Sequence, residues 1–111
     1  MSTTSGYYKR YPVSGKALFQ AESQKTTGEL VDVSRGGIRI RSKVKPLEGE
    51  EIAVRFSVKS YPEVFKVRGM VVRVQSGSWA VLFFEEPMGL AKLLWALDAR
   101  AKKQVAIPIG T

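Results

Sequence analysis

Cysteine and histidine are both missing from this chain of 111 residues. Without cysteine it can form neither a disulfide nor a thiolate metal site. Without histidine it lacks the usual general base near neutral pH and the commonest metal ligand. Catalysis would then fall to carboxylates or lysines, and the acids gather only as Glu48-Gly49-Glu50-Glu51 and Glu85-Glu86. The first group reads as a turn leading into a strand and the second as the approach to a helix. Neither reads as two carboxylates facing a substrate, so the expectation is a binding protein, not an enzyme, with no metal and no cofactor. No run approaches the roughly 20 apolar residues that cross a bilayer, and the polar start of the chain does not read as a signal peptide. The expected setting is therefore soluble and cytoplasmic, without membrane insertion.

Acids are also scarce against bases, 10 Asp and Glu to 18 Lys and Arg, a net charge of +8. Residues 1–45 hold nine of the basic residues and three of the acids, a balance of +6, while residues 46–111 balance at +2. A positive field concentrated in one half attracts phosphates and speeds their encounter; it does not specify a fold. It also fits a basic solubilising surface, and on charge alone nucleic acid is a possible partner.

The length fits one domain with a core that needs no staples. Residues 1–7 are expected to form a flexible arm, 8–104 the domain and 105–111 a tail. Tyr7-Tyr8-Lys9-Arg10-Tyr11-Pro12 is an aromatic and basic cluster ahead of a first strand over Lys16–Gln20. Ser23–Gly28 reads as a polar turn region, followed by strands over residues 29–33 and 37–42. Over Glu51–Lys59, Ile52, Val54, Phe56 and Val58 alternate with Ala53, Arg55, Ser57 and Lys59, the pattern of a strand with one wet face. Ser60–Glu63 reads as a loop. Val64–Val74 is a more continuously apolar strand in which Gly69 marks a bulge or a close backbone approach. A sixth strand covers Trp79–Phe84. Pro87 then suits the first position of a helix, with Glu85 and Glu86 ahead of it to complement the dipole. Leu90, Leu93, Leu94, Leu97 and Ala101 form its apolar stripe, and Lys102 and Lys103 suit its last turn. The expected fold is mainly β, a small barrel of six antiparallel strands with a C-terminal helix.

The stretch richest in chemistry is Asp32-Val33-Ser34-Arg35-Gly36-Gly37, which leads into the alternating Ile38-Arg39-Ile40-Arg41. An acceptor, a hydroxyl and a cation presented from one turn suit a small anionic ligand carrying a purine. On local chemistry alone they more often make a hairpin whose Asp and Ser cap their own backbone. Arg39 and Arg41 either add to a phosphate field or keep a sheet face wet.

The spacing Asp-x-Ser-x-x-Gly followed by Ile-Arg-Ile resembles the second signature of the PilZ domain, a bacterial receptor module for cyclic di-GMP. Pro46-Leu47-Glu48-Gly49-Glu50, Gly69-Met70-Val71-Val72-Arg73-Val74 and Trp79-Ala80-Val81-Leu82-Phe83-Phe84 are similar to later segments of that family. The resemblance covers roughly residues 8–103. It implies that Asp32 and Ser34 take guanine polar groups and that Gly37 keeps the strand start clear. It also implies that an Arg-x-x-x-Arg arm before the first strand closes over the ligand.

The arm departs from that signature. With Arg10 as its second Arg the first falls on Gly6; with Lys9 as its first member the second falls on Val13. Lys9 can supply a point charge but not bidentate or stacked recognition. Tyr7, Tyr8 or Tyr11 can offer a stacking face instead. Trp79, where many family members carry Gly nearby, is expected in packing more than as a base platform. The expected ligand site is thus Lys9, Arg10, Asp32, Ser34, Arg35 and Gly37, and the expected output is a conformational change passed to a protein partner. The alternative is a PilZ-like domain without the nucleotide, working through protein contacts on the Leu90–Leu97 helix and the 61–65 loop. A third is a basic barrel binding RNA or DNA.

Overall fold

The computed structural model describes residues 8–21 and 23–106, with side chains up to Ala101. The expected arm over residues 1–7, Tyr7, the side chains of Lys102 and Lys103, and residues 107–111 of the expected tail lie outside the described residues. Six strands and one helix follow one another along the chain: β1 (Tyr11–Ala21), β2 (Gln24–Val33), β3 (Gly37–Arg41), β4 (Glu51–Val58), β5 (Val64–Gln75), β6 (Ser78–Phe83) and α1 (Leu90–Ala106). All the pairings are antiparallel, and the order β1-β2-β3-β6-β5-β4 closes through β1 and β4 into a barrel.

The inward phase of each strand fills one core. Ala17, Phe19 and Ala21 come from β1, Ile38 and Ile40 from β3, and Ile52, Val54, Phe56 and Val58 from β4. Leu30 and Val33 of β2, Phe65, Val67 and Val71 of β5 and Trp79 and Val81 of β6 complete the ring, and Leu90, Leu93 and Leu94 bring α1 into the same cluster. Trp79 is fully buried, edge-on to Phe19 at 4.8 Å, and its indole N–H donates to Ser42 Oγ at 2.9 Å. It packs the core and offers no face to a ligand.

The largest differences from the sequence reading fall at three boundaries, the others lying within a residue or so. The first strand starts at Tyr11, five residues earlier than Lys16, and pairs with β2 along its length. Ser23–Gly28 is not a turn region: only Ser23, with φ 65°, lies in the turn, and Gln24–Gly28 belong to β2. This end of the hairpin is exposed or half-buried along β2, so no apolar period announces it. The helix opens at Leu90 rather than Pro87. Pro87 to Leu90 forms a turn closed by Leu90 N–H onto Pro87 O at 3.1 Å, with Gly89 at φ 86°. Glu85 and Glu86 are thereby kept out of the first helical turn, which holds no acid. Gly69 is a close approach, since a Cβ there would collide with the Leu82 carbonyl oxygen. The irregularity of β5 lies further on, between Val72 and Gln75, where Arg73 adopts φ 52°.

Candidate functional site

A single irregularity in β2 makes the site. Leu30 is buried in the barrel, and strict alternation would aim Asp32 inward after it. Instead the register slips between Leu30 and Asp32, which pair with Ile40 and Arg39 of β3, so Val31 is an extra residue. That bulge resets the phase: Val33 enters the core and the Asp32 carboxylate turns to the outer surface beside Arg39. Across the other edge of β2, Pro12 of β1 sits opposite Asp32, and the β1 register also shifts between Pro12 and Gly15. A proline is tolerated where the ladder is irregular.

Two guanidinium groups converge on Asp32. Arg10 Nη1 donates to Oδ1 at 3.0 Å, and Arg39 Nε lies 3.9 Å from Oδ2. Arg39 also donates to Ser78 Oγ at 3.4 Å. The trio carries a net positive charge on a partly buried carboxylate, an arrangement that can present guanidinium N–H groups to an anion. Arg39 is the member that the expected ligand site left out. The alternation Ile38-Arg39-Ile40 placed it on the outer face, but only the β2 bulge pairs it with Asp32.

The turn after β2 is built from its own atoms. Ser34 is 1% exposed; its N–H donates to Gly37 O at 2.9 Å, its hydroxyl donates to the same oxygen at 3.3 Å, and its Oγ accepts the Gly36 N–H at 3.2 Å. The hydroxyl therefore shapes the turn, leaving Arg35 at its exposed tip. Gly37 is required by close approach: a Cβ would collide with the Val81 carbonyl oxygen of β6. The Phe83 N–H closes onto Gly36 O at 2.9 Å, so β6 grips the turn and delivers the following chain, Phe84 to Glu86, beside it.

The remaining expected residues are nearby but otherwise engaged. Arg35 donates through Nε and Nη2 to Glu86 Oε1 at 3.2 and 3.1 Å, and its guanidinium carbon stands 5.9 Å from the centre of the Tyr8 ring. Lys9 Nζ is 3.2 Å from Asp98 Oδ1 on α1 and 5.1 Å from the centre of the Tyr11 ring. Tyr11 Oη donates to the same Asp98 oxygen at 3.1 Å. Arg10 and Asp32 are thus in direct contact, Arg35, Ser34 and Gly37 adjoin them on the turn, and Lys9 is turned toward the helix. Arg41 points elsewhere, to Glu29 at 3.2 Å. Among the described residues no three acids, cysteines or histidines gather as a metal site, and no helix is long and apolar enough to cross a membrane.

Known proteins share this fold. The PilZ domain model matches residues 7–97. The fold superimposes on the PilZ domain of YcgR from Escherichia coli, solved with c-di-GMP, with a TM-score of 0.70 at 16% identity, covering 88% of this chain and 95% of that one. It also superimposes on the Bacillus subtilis inhibitor of motility MotI/DgrA, with a TM-score of 0.69 at 15% identity over 95% of this chain; the chain spans only 52% of that protein. No curated protein sequence matches it. With the motif, the closed barrel and the family match over residues 7–97 in agreement, the chain belongs to the PilZ domain family.

Proposed function

We propose that this domain is a bacterial cytoplasmic receptor for cyclic di-GMP, acting by binding and not by catalysis. The observation that carries the proposal is the outward Asp32 carboxylate, flanked by Arg10 and Arg39 beside the buried Ser34 turn. A guanine offers N1–H and N2–H₂ donors to a carboxylate, and O6 and N7 acceptors to a guanidinium fork. In this reading Asp32 takes the donor edge, and Arg10 and Arg39 take the acceptor edge or a phosphate. Arg35 and Lys9 add positive charge, while Ser34 and Gly37 hold the turn that fixes Asp32. The family match and the nucleotide bound by the Escherichia coli relative support this reading.

Signal output runs to a protein partner. Trp95 is 74% exposed on α1 and Met88, just before the helix, is 95% exposed, with Val64 exposed at the start of β5. Trp95 and Val64 fall on the helix and loop expected to dock a partner, with Met88 just ahead of that helix, and they favour protein contacts as the second reading if the nucleotide is not bound.

Calorimetric titration with cyclic di-GMP tests the proposal, with GTP, cyclic di-AMP and a long oligonucleotide as controls. Selective heat that Asp32→Ala abolishes is the expected result. Removing a charge-assisted contact costs about 1.5–3 kcal/mol, roughly ten- to a hundredfold in affinity, so Arg39→Ala should weaken binding by that factor. Absence of binding at high micromolar ligand would leave the protein-docking reading. Tight oligonucleotide binding that falls steeply with salt would favour nucleic acid.

A further inference from the structure

The two exposed cations of the proposed site are each held by a carboxylate from the far end of the chain. Glu86 lies 51 residues from Arg35 and Asp98 lies 89 residues from Lys9. Glu86 Oε1 takes both Nε and Nη2 of Arg35, the edge of the guanidinium fork that a phosphate oxygen would take. Asp98 takes the ammonium of Lys9 and the hydroxyl of Tyr11, joining the segment before β1 to α1. All four partners in the two ion pairs are well or partly exposed, so each pair is held weakly and can be exchanged. Glu85, the exposed neighbour of Glu86, makes no ion pair with a described residue.

We propose that Glu86 and Asp98 are built-in competing anions that occupy Arg35 and Lys9 in place of the ligand's phosphates, and so set the affinity of the site. The inference rests on the receptor reading above and deepens it. A phosphate that takes Arg35 must displace the Glu86 carboxylate. One that takes Lys9 must draw it from Asp98, which loosens the clasp between the segment before β1 and α1. Nucleotide affinity and the tie to the helix are then two sides of one exchange, and the helix is the element that carries Trp95.

The test compares cyclic di-GMP titrations of the wild type, Glu86→Gln, Asp98→Asn and the double variant, with Glu85→Gln as the control for net charge. The expected result is about threefold tighter binding for each single substitution and about tenfold for the pair, with no such gain from Glu85→Gln. In the wild type the Asp98 amide resonance should move on adding ligand, and it should move less in Asp98→Asn. Where the wild type binds, unchanged or weaker binding in both single variants overturns the inference while leaving the receptor reading intact. An equal gain from Glu85→Gln also overturns it, because bulk charge would then be the cause. If only the double variant binds, the competition is stronger than a threefold effect and the inference stands. If neither the wild type nor the double variant binds, the receptor reading and this inference fall together.

Discussion

In the turn from Ser34 to Gly37 the hydrogen bonds close within four residues, and Phe83 of β6 locks the outside of the loop. In the segment from Tyr8 to Arg10 the bonds are borrowed: Lys9 from Asp98, Arg10 from Asp32, and the Tyr8 ring from Arg35. The two regions adjoin and supply the same proposed ligand, yet one is held by its own backbone and the buried Ser34, the other by side-chain contacts to distant residues. The turn is held by bonds within itself, whereas the segment before β1 is tied down by the carboxylates of Asp32 and Asp98. Under the proposed receptor reading, the turn would define the ligand's position and the segment before β1 would respond to it.

If the turn is part of the scaffold, breaking it should cost global stability. Gly37→Val is the most severe test, since its side chain meets the backbone carbonyl of Val81 at the end of the β3–β6 ladder that adjoins the turn. We expect a loss of about 3 kcal/mol in urea denaturation, the upper end of what overpacking costs. A loss below about 1 kcal/mol would mean that β3 and β6 can part at that point, and the contrast between the two regions would weaken. Ser34→Ala is milder. It removes one hydroxyl that donates to Gly37 O and accepts from Gly36 N–H, but the Ser34 N–H still reaches Gly37 O. About 1 kcal/mol is expected from a buried hydrogen-bonded group.

These two positions also show what the sequence could and could not reveal. The turn was legible because it is local: Asp-x-Ser-x-x-Gly names its own acceptor, hydroxyl and glycine. The strands from Glu51 onward were legible through apolar period, as Ile52, Val54, Phe56 and Val58 all enter the core. Gln24–Gly28 was hidden because a ribbon with little buried surface has no such period. The helix start was misplaced because Pro87 suits a turn as well as a first helical position, and Gly89 at positive φ decides for the turn. Arg39 was visible as an outward residue, but its pairing with Asp32 follows from the Val31 bulge, which no residue preference marks. The partnerships of Arg35 with Glu86 and Lys9 with Asp98 join residues 51 and 89 positions apart and exist only once the barrel has closed.

Asp98→Asn moves the comparison to the other region. It removes a charge that faces Lys9 and Tyr11 at a partly exposed site, so the stability change should stay below about 1 kcal/mol. It should therefore be smaller than that of Ser34→Ala, measured in the same denaturation series. The reverse order would show that the segment before β1 is as much a part of the scaffold as the turn.

Salt should produce the smallest effect and the most discriminating one. Raising ionic strength from 0.1 to 1 M shortens the screening length from about 10 Å to about 3 Å. Backbone hydrogen bonds inside the turn carry no net charge, so the amide resonances of Ser34 and Phe83 should hold their positions. Those of Lys9 and Arg35 should drift, since their side-chain pairs are open to solvent. Arg10 should follow later than Lys9, because its pair with Asp32 is 33% and 17% exposed against 64% and 30% for Lys9 with Asp98. If all three basic residues moved together, the ion pairs would form one electrostatic unit. If none moved, the segment would be held by the strand pairing of Tyr11 and Pro12 with β2, and charge exchange could not release it.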